Sequence, residues 1–198
     1  MVGSNRHNDK YMDEARKNYV KYLAAKHTAG TLEATEIDEL VDTFTDEGFW
    51  VDSFLEVMDS ESKTIEALSP MFVDCLLELG IEVPSQERYL WQIICYHTQR
   101  IIIDKVNPIE GVANLEFEIW NDPTLNKIYR ATNTARQVSH YGKFYAVSNL
   151  VDYYWEWDDI MDRHFDYSES EMADIRREIE EGIKKEAKAW LATYGNMC

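Results

Sequence analysis

Basic residues are scarce in this chain: 20 Lys and Arg stand against 37 Asp and Glu, a formal net charge of −17. That deficit removes nucleic acid and membrane surfaces from the expected partners, because phosphates and anionic headgroups are bound through cationic patches. Proline (4) and glycine (8) are few among 198 residues and gather into no tract, which excludes linkers, collagen-like repeats and low-complexity segments. The three cysteines are an odd number at wide, unpatterned spacing, and no charged-then-apolar leader opens the chain, so a reducing cytoplasm is the expected compartment. Cys75 and Cys95 are expected as small core residues, and Cys198 as an exposed thiol without a role. No apolar run approaches the roughly 20 residues that span a bilayer, the longest being interrupted by Arg100 and Asp104.

What is present is helical periodicity. Tyr11, Ala15, Tyr19, Tyr22 and Leu23 trace one face of a first helix that Gly30 stops. Ile37, Leu40, Val41 and Phe44 repeat at i, i+3, i+4 and i+7, and Trp50, Phe54, Leu55 and Met58 continue the inward pattern after Gly48. Ser69 and Pro70 read as the N-cap and first position of a helix carrying Met71, Phe72, Cys75, Leu76 and Leu79. From Tyr89 to Ile103 apolar residues lie on nearly every side, the pattern of a buried central helix. Asn107-Pro108 and Asp122-Pro123 each open a further helix, the first through Leu115, Ile119 and Trp120, the second through Ile128 and Val138. Phe144 to Tyr154 continues the spacing. A Ser168/Glu171 capping box then starts a long last helix with a narrow stripe through Ile179, Ile183 and Trp190. The expected fold is all-α: residues 1–8 form a flexible tail, and 9–198 a single-domain bundle of about seven to nine helices.

Catalytic constellations are missing. The five histidines give no His-x-x-x-His or Glu-x-x-His, and His97, beside Arg100 on the buried helix, reads as a hydrogen-bonded core residue. No phosphate loop, nucleophile elbow or Cys/His pair occurs. The sharpest motif is Asp158-Asp159-Ile-Met-Asp162, whose carboxylates, one turn apart, resemble the aspartate-rich motif that holds Mg²⁺ and diphosphate in isoprenoid synthases. No second acidic motif or basic phosphate ligand accompanies it. A solvated acidic face is therefore the leading reading of the motif. A metal site at Asp158, Asp159 and Asp162, serving an Mg²⁺-dependent enzyme on a diphosphate, is the alternative, and a non-catalytic helical adaptor a third. A protein without enzymatic activity and without cofactor is expected.

The charge is regional. Residues 33–82 hold fifteen acids and only Lys63, a net −14, and residues 152–174 hold nine acids and only Arg163, a net −8. A face selected for solubility alone mixes signs, as the last helix does, so an unbalanced block points to a cationic protein partner. In the second block Tyr153, Tyr154, Trp155 and Trp157 interleave with the acids, and aromatics of this kind anchor binding hot spots. The expected partner-binding residues are Asp46, Glu47, Asp52, Glu56 and Asp59 in the first block, with Asp152, Tyr153, Glu156, Trp157, Asp158, Asp159 and Asp162 in the second.

Three stretches within residues 100–159 carry a resemblance: Arg100-Ile-Ile-Ile-Asp-Lys-Val-Asn-Pro-Ile-Glu-Gly111, Glu118-Ile-Trp120 and Trp155-Glu-Trp-Asp-Asp159. They resemble small helical bacterial proteins, some of them immunity proteins encoded beside polymorphic or contact-dependent growth inhibition toxins. The resemblance implies a cognate toxin domain as the partner and brings no catalytic residues. Joined to the charge, it gives the expectation of an immunity or antitoxin-like protein of the cytoplasm that neutralises a basic toxin, such as a nuclease.

Overall fold

The computed structural model describes residues 12–86, 88–121 and 146–198. Every regular element among them is helical, eight α-helices and two short 3-10 turns without a strand, so the chain is all-α as its spacing predicts. The helix expected from Asp122-Pro123 lies outside the described residues. By its contacts the chain divides into two compact units, Met1–Tyr89 and Leu90–Cys198.

The first unit holds α1 (Glu14–Ala29), α2 (Ala34–Asp46), α3 (Ser53–Asp59) and α4 (Ile65–Glu78). Asp13 caps α1 by accepting the Arg16 amide at 2.8 Å, and Gly30 ends it in the left-handed region at φ 72°, where a side chain is strained. α2, α3 and α4 pack on one another around Phe44, Phe54 and Phe72, all fully buried, each worth about 1.5–3 kcal/mol of transfer free energy. Ile37, Leu40 and Val41 join them as expected.

Two expectations are corrected here. α4 starts at Ile65, so Ser69 is not an N-cap and Pro70 sits inside the helix. Ile65 and the buried Leu68 extend the apolar face upstream of the proline, and Pro70 lies on the exposed side, where its ring meets solvent. α3 does not turn its whole apolar set inward: Phe54 and Val57 are buried, whereas Trp50, Leu55 and Met58 are 41%, 49% and 47% exposed. A seven-residue helix has one buried stripe, and Ser53, Phe54 and Val57 occupy it.

The second unit is built on α5 (Tyr89–Ile102), α6 (Pro108–Asn121), α7 (Ser148–Met161) and α8 (Glu169–Tyr194). α5 is buried through Leu90, Trp91, Ile93, Ile94, Cys95, His97, Thr98 and Ile101, as its all-round apolar pattern requires. Asn107 caps α6 by accepting the amides of Ile109 and Glu110 at 3.0 and 3.4 Å, and its side-chain amide donates to Glu180 on α8 at 2.7 Å. Gly111 lets α6 close on α5: a Cβ there would lie 2.5 Å from Ile101 Cγ1. α6, α7 and α8 pack mutually, and the Ser168/Glu171 capping box starts α8 as read from sequence. Trp91 of α5 stacks on Trp190 of α8 at 5.9 Å.

Beside that stack Cys95 is disulfide-bonded to Cys198, with Cα atoms 5.9 Å apart. The expectation of an unpaired Cys198 without a role is thereby overturned. The two residues are 103 apart in sequence, and the C-terminal end of α8, whose Trp190 and Tyr194 rings meet Trp91 of α5, brings residue 198 to the buried Cys95. Cys75 alone is free and buried, as expected.

Candidate functional site

The first acidic block divides into carboxylates used within the fold and carboxylates facing solvent. Glu36 accepts the Glu33 amide at 3.0 Å to cap α2 and pairs with Lys26 at 2.5 Å. Asp38 takes Lys63 at 2.9 Å, and the same ammonium donates to the Val57 carbonyl at 2.7 Å. Glu78 accepts the Ser53 amide at 3.2 Å, supplying the start of α3 with an acceptor from α4. Glu47 accepts from Arg16 Nε at 2.5 Å, and Arg16 also pairs with Asp13. Asp46, Asp52, Glu56 and Asp59 are exposed, and among the described residues no ion pair reaches them.

Four of the five expected residues of this block therefore have no ion-pair partner among the described residues, and they run from the end of α2 (Asp46) to the end of α3 (Asp59). Trp50, Leu55 and Met58 stand among them. Leu55 and Met58 are one turn apart on α3, and Trp50 meets Phe54 edge to face at 6.2 Å. This apolar component was hidden in the sequence, because the i, i+4 spacing of Trp50, Phe54 and Met58 reads as core. The available signal was the length of the segment: too short a helix for two buried faces.

The second block lies on α7 and the turn after it. Asp152, Glu156, Asp158 and Asp159 are exposed, and so is Asp162 just past the helix end. Tyr153 and Trp157 are half-buried. The Tyr153 ring packs against Gly182 of α8, where a Cβ would come within 2.6 Å of it, so Tyr153 helps to seat α7 on α8. Burial, and secondarily Asp158 and Glu116, push the Tyr154 phenol up, and burial likewise raises Glu116 on the facing α6. The large exposed apolar groups of this region are Trp155, Met161 and Phe165. Phe165 sits in the 3-10 turn His164–Asp166, fixed by the Asp166 amide on the Arg163 carbonyl at 2.9 Å and by His164 Nδ1 on the Met161 carbonyl at 2.8 Å. Arg163, the lone base of the block, turns its Nε to the Asp159 carbonyl at 3.2 Å.

Among the described residues, no three His, Cys, Asp or Glu side chains form a group able to hold a metal ion, and Asp158, Asp159 and Asp162 are included in that statement. His97 is buried on α5 with Nε2 3.3 Å from Glu118 on α6, the core position its sequence context suggests. His27 Nε2 lies 2.8 Å from Ser69 Oγ, a link between α1 and α4, and burial lowers the affinity of its imidazole for a proton. Two of the five histidines, His7 and His140, lie outside the described residues. Among the described residues no helix is long and apolar enough to cross a membrane.

Compared with protein-family models, curated proteins and solved structures, the chain matches none.

Proposed function

We propose that this protein is an immunity or antitoxin-like protein that binds a basic toxin domain, a nuclease in the simplest case, and covers its active site or substrate groove. A cationic groove that attracts phosphates attracts carboxylates equally. The observation carrying the proposal is that each unit presents exposed, uncompensated carboxylates among exposed large apolar side chains: Asp46, Asp52, Glu56 and Asp59 around Trp50, Leu55 and Met58 in one, Asp152, Glu156, Asp158, Asp159 and Asp162 near Trp155, Met161 and Phe165 in the other. Apolar anchors supply affinity, and like-signed rims supply steering and selectivity.

The compartment that goes with this reading is the cytoplasm. The Cys95–Cys198 disulfide argues the other way, since disulfides persist in oxidising surroundings, and a thiol count on protein trapped in cells decides between them. The function itself is tested by co-expression with the product of the adjacent upstream gene. Protection of cells and a purified one-to-one complex are expected; no complex and no protection would sink the proposal.

A further inference from the structure

We infer that the exposed face of α3 docks an amphipathic, lysine- or arginine-rich helix of the partner, an inference that rests on the toxin-binding reading and narrows it to one surface. Between residues 46 and 59 the chain carries five acids and no base. Two bases of the first unit that reach this neighbourhood, Arg16 and Lys63, are already engaged, the first by Asp13 and Glu47, the second by Asp38 and the Val57 carbonyl. Within the segment itself the side-chain charge is therefore of one sign.

Within that segment three large apolar side chains, Trp50, Leu55 and Met58, are each more than two-fifths exposed. Asp52, Leu55, Glu56 and Asp59 fall at i, i+3, i+4 and i+7, one outward stripe with Met58 a turn beyond Leu55. Alternating carboxylate and apolar groups along a short helix complement a helix whose apolar residues recur every three or four positions and are flanked by cations. A strand is a poorer occupant, because the first unit offers no strand among its described residues and hence no ladder to extend. On α7 the exposed apolar groups are spread from 155 to 165 across a helix and a turn that includes Arg163, which makes α3 the more concentrated surface.

The test uses the full chain and a fluorescein-labelled peptide of leucine and lysine, about 18 residues long so that it spans about 27 Å as a helix, with all leucines on one face. Anisotropy is expected to show saturable binding that weakens steeply as salt rises from about 50 to 200 mM. The double variant Leu55→Ser/Met58→Ser, which leaves the charge untouched, is expected to weaken binding at least tenfold, a loss of about 1.4 kcal/mol. Asp52→Asn/Glu56→Gln should weaken it and flatten its salt dependence. Ile103→Ser, which removes an exposed apolar group of the other unit, should change nothing. Thermal melts confirm that each variant folds. The inference is overturned if no saturable binding occurs, if a scrambled peptide of the same composition binds as tightly, or if the α3 double variant binds as the parent does. Protection by Leu55→Ser/Met58→Ser equal to that of the parent, with the peptide result negative, removes α3 and leaves the toxin-binding reading standing. Peptide binding abolished by the α3 variants without any complex with the neighbouring gene's product retains the surface and removes the toxin.

Discussion

Breaking the Cys95–Cys198 disulfide should lower the stability of the second unit without dismantling it. The bond closes a loop of 103 residues, and the chain-entropy relation for a loop of that length gives about 4.7 kcal/mol at 25 °C, withdrawn from the unfolded ensemble. Against a typical domain stability of about 5–15 kcal/mol this is a large share. Each kcal/mol moves the midpoint of a chain of this size by about 2–4 °C, so Cys198→Ser or full reduction should lower Tm by about 10–20 °C. Trp91, Trp190 and Tyr194 make ring contacts of 5.6–5.9 Å that need no sulfur, so the near-ultraviolet circular dichroism of these rings should survive at low temperature. The assay is alkylation in denaturant followed by mass measurement, paired with melts in the presence and absence of reductant. One modified thiol, Cys75, is expected without reductant and three with it. Three modified thiols without reductant, or a reductant effect on Tm below about 2 °C, would refute the reasoning.

Other perturbations test the local arguments. Gly111→Ala gains about 1 kcal/mol of helix propensity but drives a Cβ to 2.5 Å from the fully buried Ile101; overpacking of about 1–3 kcal/mol should prevail, lowering the denaturant midpoint by the equivalent of about 1 kcal/mol. Burial depresses the His27 proton affinity below that of the unfolded chain, so its contribution to stability is complete above about pH 6.5 and falls away as pH drops through the lower folded value. His27→Gln should therefore flatten the stability profile below about pH 6.5, as read by urea unfolding across pH. Ser168→Ala removes the acceptor for the Glu171 amide at the start of α8 and should cost about 1 kcal/mol in a chemical melt.

Periodicity disclosed the helices because each core-facing stripe, such as Ile37, Leu40, Val41 and Phe44, is a local pattern that packing then respects. Caps were equally local: Asn107 and Ser168 act where their spacing placed them. The start of α4 was obscured because a Ser-Pro pair looks like a helix start wherever it falls, and Pro70 is tolerated on an outer face once Leu68 and Phe72 hold the inner one. The end of α5 carried no glycine signal; Asp104, a residue type that tolerates the left-handed region, turns the chain there at φ 55°. The disulfide was illegible because a pairing across 103 residues is decided by tertiary return, which leaves no mark in spacing.

The candidate site divides along the same line. Its charge was visible residue by residue, yet counting could not separate carboxylates used within the fold from the rest: Glu36, Asp38, Glu47 and Glu78 each satisfy a donor within the first unit, whereas among the described residues no ion pair reaches Asp46, Asp52, Glu56 or Asp59. Removing a carboxylate of the first group should cost stability, and removing one of the second should relieve repulsion. Exposed like-signed carboxylates beside exposed large apolar side chains are the composition expected of a surface that a cationic partner would cover. The surplus charge and the exposed apolar groups at α3 are thus one feature, and on the proposed reading it is the face a partner would cover, distinct from the acids that build the helices beneath it.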